Sequence, residues 1–390
     1  MIKKTLLLLL FPLGIYAQDY QKIHRKAIVA DSHNDILSKS IEKGVSMDSD
    51  LRGKTHSDLT RFKQGGVDVQ LFSVWCDGSM QNPYRWANRE MDTLDAVVAR
   101  NPDKIQIVRS IKELKRAVKA GKLAAMFGVE GGHMIENDLT KIDSIYARGA
   151  RYMTLTWNNS SSWATSAMDE TTKGDSLAKT HKGLTDFGKE VVRHMNRIGM
   201  MVDISHTGEQ TFWDAIHTTT KPVLASHSNA YTLCPSFRNL KDDQIKAIGE
   251  NGGVIQLNFY SAFVDSSFKP KENVFVRQRR REIDSVRKTG KSNEEAINMI
   301  SEKYASEIKA ARPPLSMLLD HLDYIVKLIG VDHVGMGSDF DGISFAPQQL
   351  DDVTSYPVIT KALLERGYSK KDVNKIMGGN LLRVIKANGK

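Results

Sequence analysis

The sequence predicts an α/β fold of the (β/α)8 TIM-barrel type, with a helical insertion between the seventh and eighth strands. Eight short apolar runs recur along the chain, and helical patterns fall between them. Strands that alternate with helices form parallel sheets, and eight such units close into a barrel. The length fits one large barrel, although length alone would also fit two ordinary domains. The predicted strands are 27–31, 67–75, 124–129, 151–156, 200–204, 222–225, 253–258 and 333–337.

The segments between these strands carry the sequence patterns of helices. Apolar residues at helical spacing predict helices at 91–100, 111–120, 184–198, 210–218 and 242–248. The interval 265–311 is charged and helix-rich, and we interpret it as an insertion after the seventh strand, on the face where barrel active sites lie. A small separate helical domain is the alternative. Residues 352–387 predict a pair of closing helices.

The first 17 residues have the pattern of a signal peptide. Lys3 and Lys4 precede an apolar run that ends before Ala17, and the run is too short to span a bilayer of about 30 Å. An uncleaved anchor is the alternative interpretation. No cysteine follows Ala17 to carry a lipid. We expect a mature chain of residues 18–390, a single domain without a transmembrane span, that is exported to the periplasm or secreted.

Charge and cysteine content exclude several classes of function. The net charge is +9, or +7 without the two signal-peptide lysines (9 − 2 = 7), and basic residues are interleaved with acidic ones. The pattern indicates solvated helix faces and no nucleic-acid partner. Cys76 and Cys234 are the only cysteines, without a Cys-x-x-Cys pair, so a thiolate zinc site is disfavoured. A disulfide between them and two buried thiols both stay open.

The first predicted strand ends in a His-x-Asp pair. Residues two apart on a strand point to the same side, so His33 and Asp35 project together. An imidazole and a carboxylate suit a divalent metal such as zinc. Taken alone, the segment is also ordinary turn chemistry, because Asp, Asn and Ser bond their own backbone.

Other strand ends carry further metal-ligating residue types. Each has its own structural explanation, as a loop acid, a helix cap or a buried histidine. In a barrel, however, the carboxyl ends of all strands converge on one mouth, and this joint occurrence favours a metal site. These further residues are Glu130, His206, His227 and Asp339.

The predicted set is too rich for one catalytic zinc, which needs three protein ligands and an open position. Two zinc ions fit better: His33 and Asp35 hold one ion, His206 and His227 hold the other, and Glu130 bridges them. Two such ions share a water whose pKa falls toward about 7, which gives a hydroxide that can attack a carbonyl.

With these residues in place, the chain resembles the membrane dipeptidase (renal dipeptidase) family of zinc peptidases, over about residues 26–384. The matching motifs together are highly specific. They are Asp31-Ser-His-Asn-Asp35, Gly128-Val-Glu-Gly-Gly132, Val202-Asp-Ile-Ser-His206, His227-Ser-Asn-Ala-Tyr231 with Arg238-Asn239, Gly337-Ser-Asp-Phe-Asp-Gly342 and Gly379-Asn-Leu-Leu-Arg-Val384.

The resemblance implies a two-zinc barrel that hydrolyses small dipeptides, including those with a C-terminal D-residue. It implies that Asp339 handles protons and that Arg238 and Tyr231 contact substrate. The chain departs from the family at Trp157, where members commonly carry a substrate-contacting His. An indole can donate a hydrogen bond but cannot take up a proton. A one-residue shift would place Asn158 there instead.

Two other functions are weighed against a dipeptidase. Another barrel amidohydrolase would act on a lactone, cyclic amide or amine; such enzymes resemble one another in carrying His-x-His on the first strand and a modified Lys as bridge, whereas this chain has His-x-Asp and Glu130. An exported, metal-dependent binding protein without catalysis need not keep Asp339. The physiological dipeptide, the metal loaded in the cell and the oligomeric state, a homodimer included, stay open.

Overall fold

The computed structural model describes residues 13–174, 181–291 and 293–389. Its centre is a barrel of eight parallel strands that closes because β2 pairs with β4 as well as with β1. The strands of the sheet are β1 (Val29–Asn34), β2 (Val67–Trp75), β3 (Ile105–Ile107), β4 (Leu123–Glu130), β5 (Ala150–Thr154), β6 (Met201–Asp203), β7 (Leu224–Ala225), β8 (Val254–Leu257) and β9 (Val334–Met336).

All eight predicted strands are present, and the observed sheet differs from the prediction in two respects. Strand β3 was not predicted; it has only three residues and pairs with the start of β4, outside the closed barrel. Strand β1 ends at Asn34, beyond the predicted end at 31, because Asn34 still pairs with Phe72 of β2. His33 therefore lies within a buried strand and does not follow it.

Helices surround the barrel. The helices that alternate with the strands pack their apolar faces against the sheet, as amphipathic helices do. The helices are α1 (Leu13–Lys26), α2 (Ile36–Lys43), α3 (Leu59–Gln64), α4 (Pro83–Arg100), α5 (Ile111–Lys119), α6 (Leu139–Arg148), α7 (Ala167–Lys173), α8 (Asp186–Ile198), α9 (Glu209–Thr218), α10 (Asp242–Asn251), α11 (Ser261–Val264), α12 (Phe268–Gln278), α13 (Arg280–Arg287), α14 (Asn293–Lys303), α15 (Ala305–Lys309), α16 (Leu315–Ile329), α17 (Tyr356–Glu365), α18 (Lys370–Asn374) and α19 (Asn380–Asn388).

Helices α12 to α15 follow β8 and form their own apolar cluster. Phe268, Phe275 and Ile300 are buried in it, and Phe345, from the loop after β9, packs with them. A ring contact between Phe268 and Phe345, with centroids 6.0 Å apart, joins this cluster to the barrel. These helices thus lie over the ends of β8 and β9, where they reach the mouth of the barrel.

The closing segment contains three helices, α17, α18 and α19, and not the predicted pair. A π-helical turn at Lys375–Gly379 separates α18 from α19. It brings Gly378 so close to β1 that a Cβ there would lie 2.3 Å from the Ile28 carbonyl oxygen. Only glycine fits this approach, and its effect on the helix could not be read from hydrophobic spacing.

Three further predictions concern termini and cysteines. Most of the predicted signal peptide, residues 1–12, lies outside the described residues, and α1 begins at Leu13. Within the described part of the chain, no helix combines the length and the apolar character needed to cross a bilayer. Cys76 and Cys234 are both free thiols, and both are buried.

Candidate metal centre and substrate cleft

The carboxyl ends of the strands open into a cleft with a volume of about 1040 Å³. We call His33, Asp35, Glu130, His206 and His227 the floor of this cleft, and Trp157, Asn158, Tyr231 and Arg238 its rim. Strand ends supply the floor, whereas loops and the helices after β8 supply the walls. The predicted metal-ligating residues are therefore brought together at one end of the barrel.

His33 is fully buried, and a tyrosine fixes its orientation. The Tyr152 hydroxyl lies 2.7 Å from His33 Nδ1 and donates a hydrogen bond to the Ser32 carbonyl oxygen at 3.0 Å. Because the hydroxyl proton is used on that carbonyl, the hydroxyl oxygen accepts from His33 Nδ1–H. The unprotonated Nε2 then faces Asp35 and Glu130, at 3.4 Å from one carboxylate oxygen of each.

Glu130 lies at the centre of the floor. Its Oε2 is near His33, while its Oε1 lies 2.9 Å from His206 Nε2 and 3.4 Å from His227 Nε2. One carboxylate thus presents a different oxygen to each side of the site. This is the arrangement that a ligand bridging two ions requires.

The outer nitrogens of the other two histidines also have acceptors. His206 Nδ1 lies 3.1 Å from Asn158 Oδ1, and His227 Nδ1 lies 2.8 Å from the Ser226 hydroxyl oxygen. These partners place the ring protons on Nδ1, so both Nε2 atoms carry lone pairs, although they are only 3.0 Å apart. The Nε2 lone pairs of His206 and His227 and the Oε1 atom of Glu130 therefore lie close together without a hydrogen-bond donor among them.

A divalent cation satisfies this set of acceptors. His33 Nε2 and Asp35 Oδ2 are buried without a hydrogen-bond partner, as expected of atoms that coordinate a metal. Two groups of three ligand atoms lie within 4.8 Å of one another: His33, Glu130 and His227, and His33, Asp35 and Asp339. The donor types, imidazole nitrogen and carboxylate oxygen, fit zinc.

The pKa shifts of the floor histidines also favour a bound metal. Burial lowers the pKa of His33, but Tyr152, Asp35 and Glu130 outweigh it and raise this pKa well above its ordinary value. The surroundings of Nε2 thus favour a positive charge, which a bound metal would supply in place of a proton and so leave the ring neutral. Burial and the charge of Arg238 lower the pKa of His206 to about 4, so this ring is neutral at neutral pH. Neutral imidazole is the form that binds metals.

Two buried carboxylates that sequence reasoning did not assign hold neighbouring strand ends together. Asp31 accepts from the His33 and Ser338 amides, the Ser338 hydroxyl and the Tyr356 hydroxyl, at 2.5 to 3.0 Å. Asp203 accepts four such hydrogen bonds, from Thr154 at the end of β5, from Ser205 after β6 and, twice, from Ser226 after β7. Asp31 lies two residues before His33, and Asp203 lies three residues before His206. This spacing is the sequence signal that could have identified the two carboxylates.

Asp339 has a special backbone conformation. Its φ is 61°, in the left-handed region that non-glycine residues rarely adopt, and His206 shares it with a φ of 63°. Asn258 donates a hydrogen bond to Asp339 Oδ2 at 2.9 Å. Burial, which the charge of His33 only partly offsets, raises the pKa of Asp339 well above its ordinary value. Strained residues of this kind cluster at functional sites.

Arg238 is buried beside the floor without a carboxylate partner. One guanidinium nitrogen donates to the His227 carbonyl oxygen at 3.2 Å, the group lies 5.5 Å from the centroid of the Phe263 ring, and Nε has no partner. Among the described residues, no ion pair to Arg238 is found. Burial lowers its pKa to about 10, which leaves it charged at neutral pH. A buried cation of this kind is expected to meet an anionic ligand.

The other rim residues differ in position. Trp157 is 9% exposed, lies edge-on to Trp75 with ring centroids 5.1 Å apart, and lies 6.4 Å from the His206 ring. Asn158 touches His206 directly. Tyr231 lies at the outer edge of the cleft and is 37% exposed. Sequence reasoning missed Tyr152, Ser226 and Asn258, whose contacts with the floor and with Asp339 depend on the folded barrel.

The profile of the membrane dipeptidase family (peptidase family M19) matches residues 17–389. A protein from Schizosaccharomyces pombe, named an uncharacterized dipeptidase, is 32% identical over 391 residues, which cover 95% of this chain and 82% of that protein.

Solved structures share the fold. A probable dipeptidase from Pseudomonas aeruginosa superposes with a TM-score of 0.77 at 23% identity, over 96% of this chain and 99% of that one. A metallopeptidase from Rhodobacter sphaeroides, solved with a phosphinate mimic of the dipeptide L-Ala-D-Ala, gives a TM-score of 0.74 at 24% identity, over 93% and 99% of the chains. From the near-complete profile match and the relative from Schizosaccharomyces pombe, we conclude that this chain belongs to the membrane dipeptidase family of metallopeptidases, hydrolases that act on the peptide bonds of dipeptides.

Proposed function

We propose that the protein is an exported dinuclear zinc dipeptidase that accepts dipeptides with a C-terminal D-residue. The single observation that supports this proposal best is the pairing of two features in one cleft. Five metal-ligand side chains converge on the floor, and beside them lies the buried guanidinium of Arg238, which has no carboxylate partner among the residues that the structure describes. A metal site next to an anion site suits a substrate whose scissile bond lies close to a free carboxylate.

The floor residues divide between two ions in this proposal. His33 and Asp35 would hold one zinc, His206 and His227 would hold the other, and Glu130 would contribute one oxygen to each. Bound zinc would supply Lewis acidity and an activated water at neutral pH. The protein itself supplies the fixed ring orientations, through Tyr152, Asn158 and Ser226.

Arg238 would bind the substrate carboxylate. A guanidinium can grip a carboxylate with two parallel hydrogen bonds, and Arg238 has a free Nε for one of them. Because the residue is buried against Phe263, the carboxylate would have to lie deep in the cleft. A longer peptide has no free carboxylate at this position, so dipeptides are favoured. A lactone, which lacks the charge, would leave the guanidinium uncompensated.

Asp339 would move the proton. It lines the cleft beside His33 and Asp35, and the hydrogen bond from Asn258 orients its carboxylate. It would accept a proton from the attacking water and pass it to the amine of the leaving residue. The peptide bond breaks only when that nitrogen gains a proton, so one carboxylate serves both halves of the reaction.

Two features support acceptance of a D-residue. The cleft, at about 1040 Å³, is large enough for a dipeptide of either configuration at its C-terminal residue. The related structure from Rhodobacter sphaeroides carries a mimic of L-Ala-D-Ala. Export is supported by the basic and apolar pattern of residues 1–17.

One experiment tests the enzymatic proposal. The purified protein is analysed for metal and assayed on matched L,L and L,D dipeptides, before and after chelation and again after zinc is restored. We expect about two zinc ions per chain, hydrolysis of both diastereomers, and loss and recovery of activity with zinc. Activity that survives complete removal of metal would contradict the mechanism. Mass analysis of the protein from the periplasm or medium tests cleavage after Ala17.

A further inference from the structure

We infer that Asp203 is a positioning residue that sets the tautomer of His227 through the Ser226 hydroxyl, and so keeps His227 Nε2 free to bind zinc. Asp203 is fully buried at the end of β6 and does not touch His227. Its effect passes through Ser226, which directly follows the neighbouring strand β7. The inference rests on the proposed zinc site and gives Asp203, which also holds neighbouring strand ends together, a role in metal binding.

Each hydrogen bond in the series from Asp203 through Ser226 to His227 has only one possible direction when Asp203 is ionised. Asp203 Oδ1 accepts from the backbone N–H groups of Ser205 and Ser226, at 3.1 and 2.9 Å. Asp203 Oδ2 accepts from the hydroxyls of Thr154 and Ser226, at 2.5 and 2.6 Å. Burial raises the pKa of the Asp203 carboxyl, but the donors on Ser226, Thr154 and Ser205 oppose that effect and stabilise the ionised form. An ionised carboxylate only accepts, and these four donors occupy it fully.

The Ser226 hydroxyl transmits this constraint to the ring. Its single proton is used on Asp203, so toward His227 it can only accept, and the 2.8 Å contact is therefore a hydrogen bond from Nδ1–H. A neutral imidazole carries one proton. With that proton on Nδ1, the lone pair lies on Nε2, which faces Glu130 and His206.

Replacing Asp203 by Asn should reverse the directions of the hydrogen bonds from residue 203 through Ser226 to His227, while the side chain at residue 203 keeps its shape. The two backbone N–H groups must still meet an acceptor, so the amide oxygen stays on their side and the amide NH2 group faces Ser226 and Thr154. The Ser226 hydroxyl then accepts from the amide and turns its own proton toward His227 Nδ1. That contact favours the ring with its proton on Nε2, which cannot bind zinc.

The test measures zinc affinity by chelator competition on the full-length protein. In D203N, we expect the more weakly held zinc to bind about 10- to 100-fold less tightly, the range for partners that orient a metal ligand. S226A removes the relay without imposing the wrong tautomer, so its loss should be smaller. T154V removes another donor to the same carboxylate and serves as the matched control, with a loss below that of D203N.

The double variant D203N/S226A decides between tautomer control and simple support of the fold. Without the Ser226 hydroxyl, the amide has no group through which to act on His227, so the double variant should bind zinc more tightly than D203N and as tightly as S226A. A double variant that binds zinc as weakly as D203N or more weakly would overturn the inference. So would a D203N protein with unchanged affinity for both ions.

A second measurement does not depend on how D203N folds. Nitrogen-15 spectra of histidine-labelled, zinc-depleted wild type should show His227 with its proton on Nδ1, and S226A should lose this preference. A wild-type ring protonated on Nε2 would refute the inference. Zinc content separates the two proposals: a wild type that binds fewer than two ions contradicts the proposed function, whereas two ions with unaltered affinity in D203N contradict only the role of Asp203.

Discussion

The floor and the rim of the cleft are built in different ways. Floor side chains lie at the ends of parallel strands, and each of the three histidine rings has a second contact that fixes it. Rim side chains lie on the loops that follow β5 and β7, and they range from buried Arg238 to half-exposed Tyr231. The geometry of the floor is therefore set by the barrel and, at His206, by Asn158 of the rim, while the other rim residues contribute none of these ring contacts. We expect the floor to determine the chemistry and the rim to determine which substrates are accepted.

The largest effect is expected from Glu130→Gln in the floor. The amide would place a donor among three Nε2 lone pairs and remove the bridging charge, so at least one ion should be lost. Orienting partners alone contribute about 10- to 100-fold to metal affinity, and a direct ligand should contribute more. Metal analysis and turnover measure the loss. Ser73→Ala, which removes a hydroxyl 3.3 Å from Glu130, is the matched control and should retain both ions.

A smaller effect is expected from Asp339→Asn, at the boundary between floor and rim. Positioned acid-base groups contribute about 10²- to 10⁴-fold, so turnover should fall within that range while both metals stay bound. Near-normal turnover would remove Asp339 from the mechanism. Loss of metal would move Asp339 into the floor as a ligand, in line with its place beside His33 and Asp35.

In the rim, Arg238→Met should affect only substrates with a free carboxylate. A hydrogen bond to a charged group contributes about 1.5–3 kcal/mol, so kcat/KM for dipeptides should fall by about 10- to 150-fold. Dipeptide amides, which lack the charge, should lose little and serve as the matched control. An equal loss on both substrates would show that Arg238 supports the floor through the His227 carbonyl and does not select the substrate.

The smallest effect is expected from Trp157→Phe, which removes the indole N–H and keeps an aromatic ring against Trp75. A neutral hydrogen bond contributes about 0.5–1.5 kcal/mol, so kcat/KM should fall by about 2- to 13-fold if the indole donates to the substrate. Trp75→Phe is the control. Unchanged kinetics in Trp157→Phe would mean that the ring only packs against its neighbours.

The difference between the floor and the rim of the cleft also explains which features could be predicted from the sequence. Apolar runs followed by polar residues identified the eight barrel strands, and ligand-type residues at their ends identified the floor, because parallel strands all end on one face. Strand β3 was missed because three residues carry too little periodicity. The rim residues were named from family resemblance, since a lone Arg or Trp on a loop has no spacing that marks it.

The partners of the floor were beyond sequence reasoning for a different reason. Ser226 precedes His227 directly, yet nothing in the sequence indicates that its hydroxyl turns to the ring and to Asp203. Tyr152 lies inside the barrel over Gly128, where a Cβ would come within 1.9 Å of the tyrosine ring. Both contacts result from barrel closure and require three-dimensional packing to be seen.

The hydrogen bonds of Asp31 also determine the order in which the site can form. Its donors on Ser338 and Tyr356 lie 307 and 325 residues further along the chain, whereas the side-chain donors of Asp203 lie within 49. Contacts between distant residues form late, because the intervening chain must be ordered first. All side-chain donors to Asp203 have been synthesised once the chain reaches Ser226, whereas β1 gains these partners of Asp31 only after β9 and the start of α17 have been made. Catalytic competence is therefore delayed until nearly the whole polypeptide has been made.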